Sequence, residues 1–183
     1  MARADGRLTA DLNPQDHGPQ DACGVIGIYA PGEEVSKLTY FGMYALQHRG
    51  QESAGMAVSD GRHMMVFKDM GLVSQVFDEA TLNSLQGHMA VGHTRYSTTG
   101  ASIWDNAQPT FRSRQGGDGL ALAHNGNLTN TGALEALIAE RAPDTEVPHK
   151  DRMDSSNDTS LVTALMTTYD GTLEEAVSYT HLR

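Results

Sequence analysis

A hydrophobic strand begins at the only cysteine of the chain, in the stretch Asp21-Ala22-Cys23-Gly24-Val25-Ile26-Gly27-Ile28-Tyr29. Two interpretations compete for this cysteine. A lone cysteine among branched apolar side chains is often a small buried hydrophobe. Alternatively, Cys23 is a nucleophile whose amine is exposed when the preceding 22 residues are removed. The stretch by itself favours the buried cysteine, so the rest of the chain has to decide.

Length, charge and cysteine content exclude several classes of protein. A chain of 183 residues is long enough for one well-packed domain. Its formal net charge of −10 and its 13 scattered Lys and Arg residues argue against nucleic acid, because phosphate binding needs clustered basic side chains. One cysteine cannot form an internal disulfide, and it cannot build a zinc finger or an iron–sulfur site alone. No apolar run could act as a secretory signal or span a membrane, so the sequence predicts a cytoplasmic protein.

Residues 1–22 are polar and rich in Asp, Gln, Pro and Gly. Such a segment has little to bury and is expected to be disordered. It is interpreted either as a frayed terminus or as a propeptide, and only Cys23 makes the second interpretation worth considering.

The hydrophobic pattern predicts strands interspersed with blocks of helices. Strands are expected at residues 23–29, 54–58, 64–68, 72–77, 88–98 and 120–124, with Asp60-Gly61 as a hairpin turn. Helices are expected from residue 33 to a left-handed Gly50, over 78–86, after Asn130, along 162–169 and after a capping box at residues 172–175. This order favours an α+β layered domain over a doubly wound sheet.

Arg95 lies within a predicted strand, in Gly92-His93-Thr94-Arg95-Tyr96-Ser97-Thr98. A charged side chain among apolar neighbours destabilises the fold unless it is paired. Its planar guanidinium suits two-point binding of a carboxylate, but an internal salt bridge explains it equally well.

Two further polar segments could bind a ligand. The segment His124-Asn125-Gly126-Asn127 has the form of a hairpin turn, yet a predicted helix follows it. In a turn from strand to helix, the Asn125 amide and the Gly126 N–H can converge as an oxyanion hole. The segment Asp154-Ser155-Ser156-Asn157-Asp158-Thr159 opens a helix; most such residues are N-caps, but one carboxylate could pair with an ammonium group.

These segments together offer a nucleophile, a carboxylate clamp, an oxyanion hole and an anion for an ammonium group. Glutamine is a substrate that uses all of them. No histidine is an evident base for the thiol, but the α-amine of an N-terminal Cys23, with a pKa of about 8, could take its proton. A metal site is not expected, since His88 and His93 face opposite sides of a predicted strand and no HExxH pattern is present.

Ordered motifs then identify a resemblance. They are Cys23-Gly24-Val25-Ile26-Gly27, Leu46-Gln47-His48-Arg49-Gly50-Gln51-Glu52-Ser53-Ala54-Gly55, Gly92-His93-Thr94-Arg95-Tyr96-Ser97-Thr98, Asn106-Ala107-Gln108-Pro109 and Ala123-His124-Asn125-Gly126-Asn127. Across residues 22–176, the chain resembles the glutaminase domain of the amidophosphoribosyltransferase family, a class II glutamine amidotransferase. The resemblance implies an N-terminal-nucleophile hydrolase fold, a four-layer αββα sandwich of antiparallel sheets between helices.

The resemblance also implies roles for individual residues. Cys23 would be the nucleophile, and Asn125 with Gly126 would form the oxyanion hole. Arg95 and Thr98 would hold the α-carboxylate of glutamine, and Asp158 with Gly126 its α-ammonium. Residues 1–22 would be a propeptide that the protein removes by self-processing.

For the full-length enzyme, the resemblance implies that the ammonia passes to a phosphoribosyltransferase domain, which converts phosphoribosyl pyrophosphate to phosphoribosylamine in purine biosynthesis. It also implies Mg²⁺, allows a 4Fe-4S cluster, and favours a homo-oligomer. The glutaminase domain is expected at residues 23–183, truncated at its C-terminal end, with the phosphoribosyltransferase domain and any cofactor absent from this chain. The alternatives are the glutaminase domain of a glucosamine-phosphate synthase type of enzyme and a glutamine-binding fragment without catalysis.

Overall fold

The computed structural model describes residues 23–96, 102–114, 119–126, 128–142 and 158–181. Short 3₁₀ turns lie at Gln47–Arg49 and Trp104–Asn106. The strands and helices in these residues are β1 (Gly24–Tyr29), α1 (Val35–Ala45), β2 (Ser53–Ser59), β3 (Met64–Met70), α2 (Val73–Val76), α3 (Glu79–Ser84), β4 (Met89–Arg95), β5 (Thr110–Ser113), β6 (Gly119–Leu122), α4 (Thr131–Arg141), α5 (Asp158–Thr167) and α6 (Leu173–His181).

Two antiparallel sheets organise these elements. The first sheet has the strand order β1-β4-β2-β3, and the second pairs β5 with β6. Within the described residues, β1 and β3 are therefore the edges of the first sheet. Antiparallel sheets with helices placed in blocks confirm the predicted α+β class.

Helix α1 covers one face of the first sheet. Val35, Thr39 and Met43 recur every four residues along it and are buried. Gly92 of β4 permits this close packing, because a Cβ atom there would lie 2.7 Å from the Met43 sulfur. The buried core around this contact also includes Ala54, Met56, Val58, Val73, Val76, Phe77, Leu82, Leu85 and Ala90.

Helix α5 covers the second sheet. Its Thr163 hydroxyl lies 2.5 Å from the hydroxyl of Thr110 in β5. The buried apolar side chains of α5 form two smaller clusters with α4, β6 and α6. One contains Ile138, Leu161, Ala164 and Leu165, and the other contains Leu120, Met166 and Ala176. The core is thus divided between a larger cluster under the first sheet and smaller ones beside the second.

Several predicted local signals are confirmed. The β2–β3 hairpin turns at Asp60-Gly61, where Asp60 accepts hydrogen bonds from the main chain of Arg62 and His63, and Gly61 has a φ of 88°. The capping box before α6 is formed by Thr172 and Glu175, each side chain accepting a hydrogen bond from the main chain of the other.

The prediction of a strand over residues 72–77 is wrong, because Val73–Val76 forms helix α2. Gln47 and Gln75 explain the difference. The Gln47 side-chain oxygen accepts from Val73 N at 2.6 Å, and that of Gln75 accepts from Leu72 N at 2.9 Å. These acceptors satisfy main-chain donors at the start of a helix, and one of them lies 26 residues away in sequence.

The prediction of a left-handed Gly50 is also wrong. Gly50 is extended, with φ −150° and ψ 124°. It follows a 3₁₀ turn and packs on β4, where a Cβ atom would lie 2.5 Å from the main-chain carbonyl of Thr94. Glycine is required there by close packing rather than by the end of a helix.

Some predictions fall outside the described residues. These are the leader at 1–22, Thr98, Asn127 and the polar segment before Asp158. Among the helices that are described, none has the length and apolar character needed to cross a bilayer.

Candidate active site

The Cys23 thiol lies where β1 begins and β4 ends. Gly24 pairs with Thr94 in the register of the two strands, which brings Cys23 to the level of Arg95 and Tyr96. The Cys23 Sγ donates to the Tyr96 carbonyl oxygen at 3.4 Å and accepts from Tyr96 N at the same distance. The side chain is half-buried and lies outside the buried core clusters. This position differs from that of an inert core cysteine and leaves the sulfur partly open to a substrate.

The Cys23 carbonyl is bound by two side chains from distant parts of the chain. Asn125 donates to it through Nδ2 at 2.6 Å, across 102 residues of sequence. Arg49 donates to it through Nε at 3.3 Å. The structure therefore brings the predicted oxyanion residue Asn125 into direct contact with the predicted nucleophile residue.

Asn125 reaches Cys23 from the loop between β6 and α4. The segment joins a strand to a helix, so the hairpin interpretation of Asn125-Gly126 is wrong. Asn125 and Gly126 are both exposed, and a Cβ atom on Gly126 would lie 2.6 Å from Nε2 of His124. A glycine keeps this turn compact.

Arg49 is a site residue that the sequence reasoning did not identify. It ends the 3₁₀ turn Gln47–Arg49, which is fixed by Gln47 through hydrogen bonds to Gly50 O and from Val73 N. The available signal was its place within a family motif. Its contact with Cys23 could be seen only in the folded geometry, because 26 residues separate the two.

Arg95 is almost fully buried, with 6% of its surface exposed. Its Nη1 lies 3.2 Å from Oε2 of Glu52, and Glu52 N donates to the Arg95 carbonyl at 3.0 Å. The structure thus contains the internal ion pair that the sequence offered as one explanation. Because a guanidinium has five N–H donors, this pairing is compatible with a second carboxylate.

Asp158 supports the loop that carries Asn125. Its Oδ2 accepts from Leu128 N at 2.8 Å, and its Oδ1 accepts from Thr159 N at 2.8 Å at the start of α5. Its Oδ1 also lies 4.0 Å from Nδ1 of His124. Asp158 is therefore brought to the same loop as Asn125 and Gly126, as the predicted site requires.

His93 lies in β4 between Val25 of β1 and Gly55 of β2, and it is fully buried. Burial lowers its pKa to about 4; a hydrogen bond with the His124 main chain opposes this shift, and the positive charge of Arg95 adds to it. The imidazole is therefore neutral at pH 7. No described side chain with an acid or base function is hydrogen-bonded to the Cys23 sulfur, since both bonds of that sulfur go to the main chain of Tyr96.

Metal binding finds no support among the described residues. No group of three His, Cys, Asp or Glu side chains there could hold a metal ion. The Mg²⁺ and the 4Fe-4S cluster that the family resemblance implied concern the full-length enzyme; both stay predictions, and we assign no step to either.

Comparison with known proteins adds to this geometry. The chain is 53% identical over 178 residues to amidophosphoribosyltransferase from Mycobacterium tuberculosis (strain ATCC 25618 / H37Rv), covering 92% of this chain and 32% of the relative. It is 63% identical over 123 residues to amidophosphoribosyltransferase from Synechocystis sp. (strain ATCC 27184 / PCC 6803 / Kazusa), covering 67% of this chain and 25% of the relative. No family model matches the chain.

A solved structure shows the same fold. It is glutamine phosphoribosylpyrophosphate amidotransferase from B. subtilis complexed with ADP and GMP, with a TM-score of 0.70 and 33% sequence identity, covering 86% of this chain and 32% of that chain. This likeness confirms the predicted N-terminal-nucleophile hydrolase fold. The chain spans about a third of the length of the relatives with the longest matches. It belongs to the amidophosphoribosyltransferase family.

Proposed function

We propose that this chain hydrolyses glutamine to glutamate and ammonia, with Cys23 as the nucleophile. The observation that carries the proposal is the contact of Asn125 Nδ2 with the Cys23 carbonyl, at 2.6 Å. An amide donor held beside a nucleophile can stabilise the oxyanion of acyl transfer. Membership of a family of glutamine amidotransferases supports the same substrate.

In the proposed reaction, the α-amine of Cys23 is freed by cleavage of the Ala22–Cys23 bond and takes the thiol proton. The sulfur attacks the side-chain carbonyl carbon of glutamine, and the carbonyl oxygen becomes an oxyanion. Asn125 Nδ2 and the Gly126 N–H stabilise this oxyanion. The ammonium then protonates the leaving nitrogen, the C–N bond breaks, and ammonia leaves a thioester on Cys23.

Hydrolysis of the thioester completes the cycle. The α-amine accepts a proton from a water molecule, and the oxygen of that water attacks the thioester carbon. Collapse of this second intermediate breaks the C–S bond, and the sulfur regains its proton from the ammonium. Glutamate leaves, and Cys23 returns to its starting state with the electrons and protons balanced.

The proposal assigns the ends of glutamine to four residues. Arg95 and Thr98 bind the α-carboxylate, and Asp158 with the Gly126 main chain binds the α-ammonium. Arg95 follows Thr94 at the end of β4, one residue before the main chain that holds the Cys23 sulfur. In this arrangement, the substrate carboxylate and Glu52 share one guanidinium.

At the level of the whole enzyme, we propose that residues 1–22 are a propeptide and that residues 23–183 belong to the glutaminase domain. The ammonia would serve a phosphoribosyltransferase domain, which uses phosphoribosyl pyrophosphate to form 5-phosphoribosylamine in the cytoplasm. The full-length protein would be a homo-oligomer. Relatives about three times as long as the matched segment support this assignment.

The test begins with protein cleaved between Ala22 and Cys23, as verified by intact mass. We expect it to convert glutamine to equal amounts of glutamate and ammonia, and Cys23→Ala to abolish this conversion. Retained turnover in Cys23→Ala would falsify the proposal. Glutamine binding by calorimetry without release of glutamate would instead identify a binding module.

A further inference from the structure

The turn that carries Asn125 is largely exposed to solvent. We call residues 124–126 the oxyanion turn. Asn125 and Gly126 are exposed, and β6 has already ended at Leu122. Asn125 bonds to the Cys23 carbonyl and Leu128 N to Asp158. The main chain directly before Asn125, at His124, is held separately.

Gln108 holds that main chain. Its Oε1 accepts from His124 N at 2.8 Å, and the Gln108 side chain is almost fully buried. Thr110 pairs with Leu122 in the register of β5 and β6, so Gln108 stands opposite His124 two residues further along. The Gln108 side chain continues the ladder between the two strands beyond the last main-chain pair.

The main chain of Gln108 is engaged elsewhere, which explains why its side chain takes this role. Its carbonyl oxygen packs directly on Gly55 of β2, in the space that a Cβ atom would fill. Gly55 belongs to a row of directly paired residues across the first sheet, made of Val25, His93, Gly55 and Lys68. Gln108 therefore joins the first sheet to the end of the second.

Lys68, at the other end of that row, binds the loop that precedes Gln108. Its Nζ donates to the Ala107 carbonyl at 2.5 Å and lies 4.8 Å from the centre of the Trp104 ring. Trp104 Nε1 in turn donates to the Lys68 carbonyl at 3.0 Å. The loop before Gln108 is thereby fixed to β3, so the position of the Gln108 side chain is determined by the first sheet.

We propose that Gln108 is a positioning residue for the proposed glutaminase, acting through His124 N to hold the Asn125 and Gly126 donors in place. The inference rests on the proposed function. Gln108 makes no contact with Cys23 among the described contacts and acts only through the oxyanion turn. Loss of its acceptor oxygen frees the His124 N–H and allows the donors to shift relative to the substrate carbonyl.

The experiment compares two substitutions in the cleaved chain. Gln108→Met keeps the size of the side chain but removes the acceptor, whereas Gln108→Glu keeps an acceptor oxygen. Gln75→Met is the matched control, because Gln75 Oε1 accepts a comparable bond from Leu72 N at α2. Hydrogen exchange at the His124 amide, kcat and KM are measured for each protein.

For Gln108→Met, we expect the His124 amide to exchange about tenfold faster, which corresponds to the loss of one hydrogen bond. We expect kcat to fall about 10- to 100-fold, as small displacements of catalytic groups can cost up to about 10²-fold. KM should change by less than kcat, because Gly126 supplies only one of the proposed contacts with the substrate ends. Gln108→Glu should restore both the protection and kcat, and Gln75→Met should change neither.

Unchanged exchange at His124 in Gln108→Met overturns the inference. So does an unchanged kcat despite faster exchange, or equal loss of kcat in the Met and Glu variants. An inactive unsubstituted chain contradicts the proposed function instead, while exchange at His124 still decides whether Gln108 holds the turn.

Discussion

The two halves of the candidate site are supported in different ways. The nucleophile half consists of β1 and β4, which pair residue by residue from Gly24 to Tyr29 above the larger core cluster. The donor half is the loop between β6 and α4. That loop is held by single side-chain contacts, from Gln108 to His124 N and from Asp158 to Leu128 N.

This difference predicts that substitutions in the two halves affect different properties, the free energy of unfolding in one and the reaction in the other. Ladder bonds between strands use main-chain groups that almost every residue supplies, so they tolerate substitution. A side-chain acceptor is lost with one substitution and leaves a main-chain donor unpaired. Single changes in the donor half should therefore affect the reaction more than the free energy of unfolding, and changes under the first sheet should do the reverse.

The largest effect is expected for Asn125→Ala in the donor half. Removal of one oxyanion donor lowers kcat by about 10²- to 10³-fold in known enzymes. The exposed Asn125 side chain packs on little else, so the melting temperature should hardly change. Steady-state kinetics and thermal unfolding of the cleaved chain measure both.

Asn83→Ala is the matched control, since Asn83 lies on α3 and uses its main-chain carbonyl rather than its amide to bind Gln86. Its kcat should equal that of the unsubstituted chain. A kcat for Asn125→Ala within threefold of that value would contradict the oxyanion role.

His93 in the nucleophile half should make the fold sensitive to acid. Burial lowers its pKa to about 4 in the folded chain, against about 6.5 in the unfolded chain. Between these two pKa values the unfolded chain binds more protons than the folded chain. The contribution of His93 to stability is therefore full above about pH 6.5 and is lost as the pH falls toward 4. The loss from this one group should reach about 3 kcal/mol.

Urea unfolding from pH 7 to pH 4 measures this dependence. His93→Phe removes the titrating group, so its free energy of unfolding should fall less steeply with acid, whatever its value at pH 7. An identical slope in both proteins would show that His93 is not responsible.

The smallest effects are expected at two helix caps, which lie outside both halves of the site. Asp78 accepts from Thr81 N at 2.7 Å before α3, and Thr172 accepts from Glu175 N at 3.3 Å before α6. Replacing either with alanine should slightly lower the free energy of unfolding, because a main-chain N–H at the start of the helix loses its acceptor. Denaturant unfolding measures this change, and a drop in kcat for either variant would show that stability and reaction are less separate than these contacts indicate.

Local sequence signals predicted much of this fold. The Asp60-Gly61 hairpin, the Asp78 helix and the Thr172 capping box depend on neighbours within a few residues, and each appears in the structure. Residues 72–77 failed as a strand because Gln47, remote in sequence, supplies an acceptor to Val73 N.

The site shows the same limit. Cys23, Arg95, Asn125 and Asp158 were identified by chemistry and by motif, and the structure brings Asn125 to Cys23 and Asp158 to the loop that carries Asn125. The contacts of Arg49 and Gln108 were not foreseen, because each is made with a main-chain group far away in the sequence. A main-chain donor or acceptor leaves no trace in residue type, so no pattern could indicate these partners.

We also expect strand β1 to affect how the protein behaves in concentrated solution. It forms one edge of the first sheet in the described part of the chain, and it contains neither proline nor a charged residue, whereas the opposite edge, β3, carries Lys68 and Asp69. Val25 and Tyr29 on β1 are exposed. Open, uncharged edges favour pairing between molecules. Aggregation and loss of access to Cys23 would then share one cause, since a strand added along β1 would run beside the nucleophile.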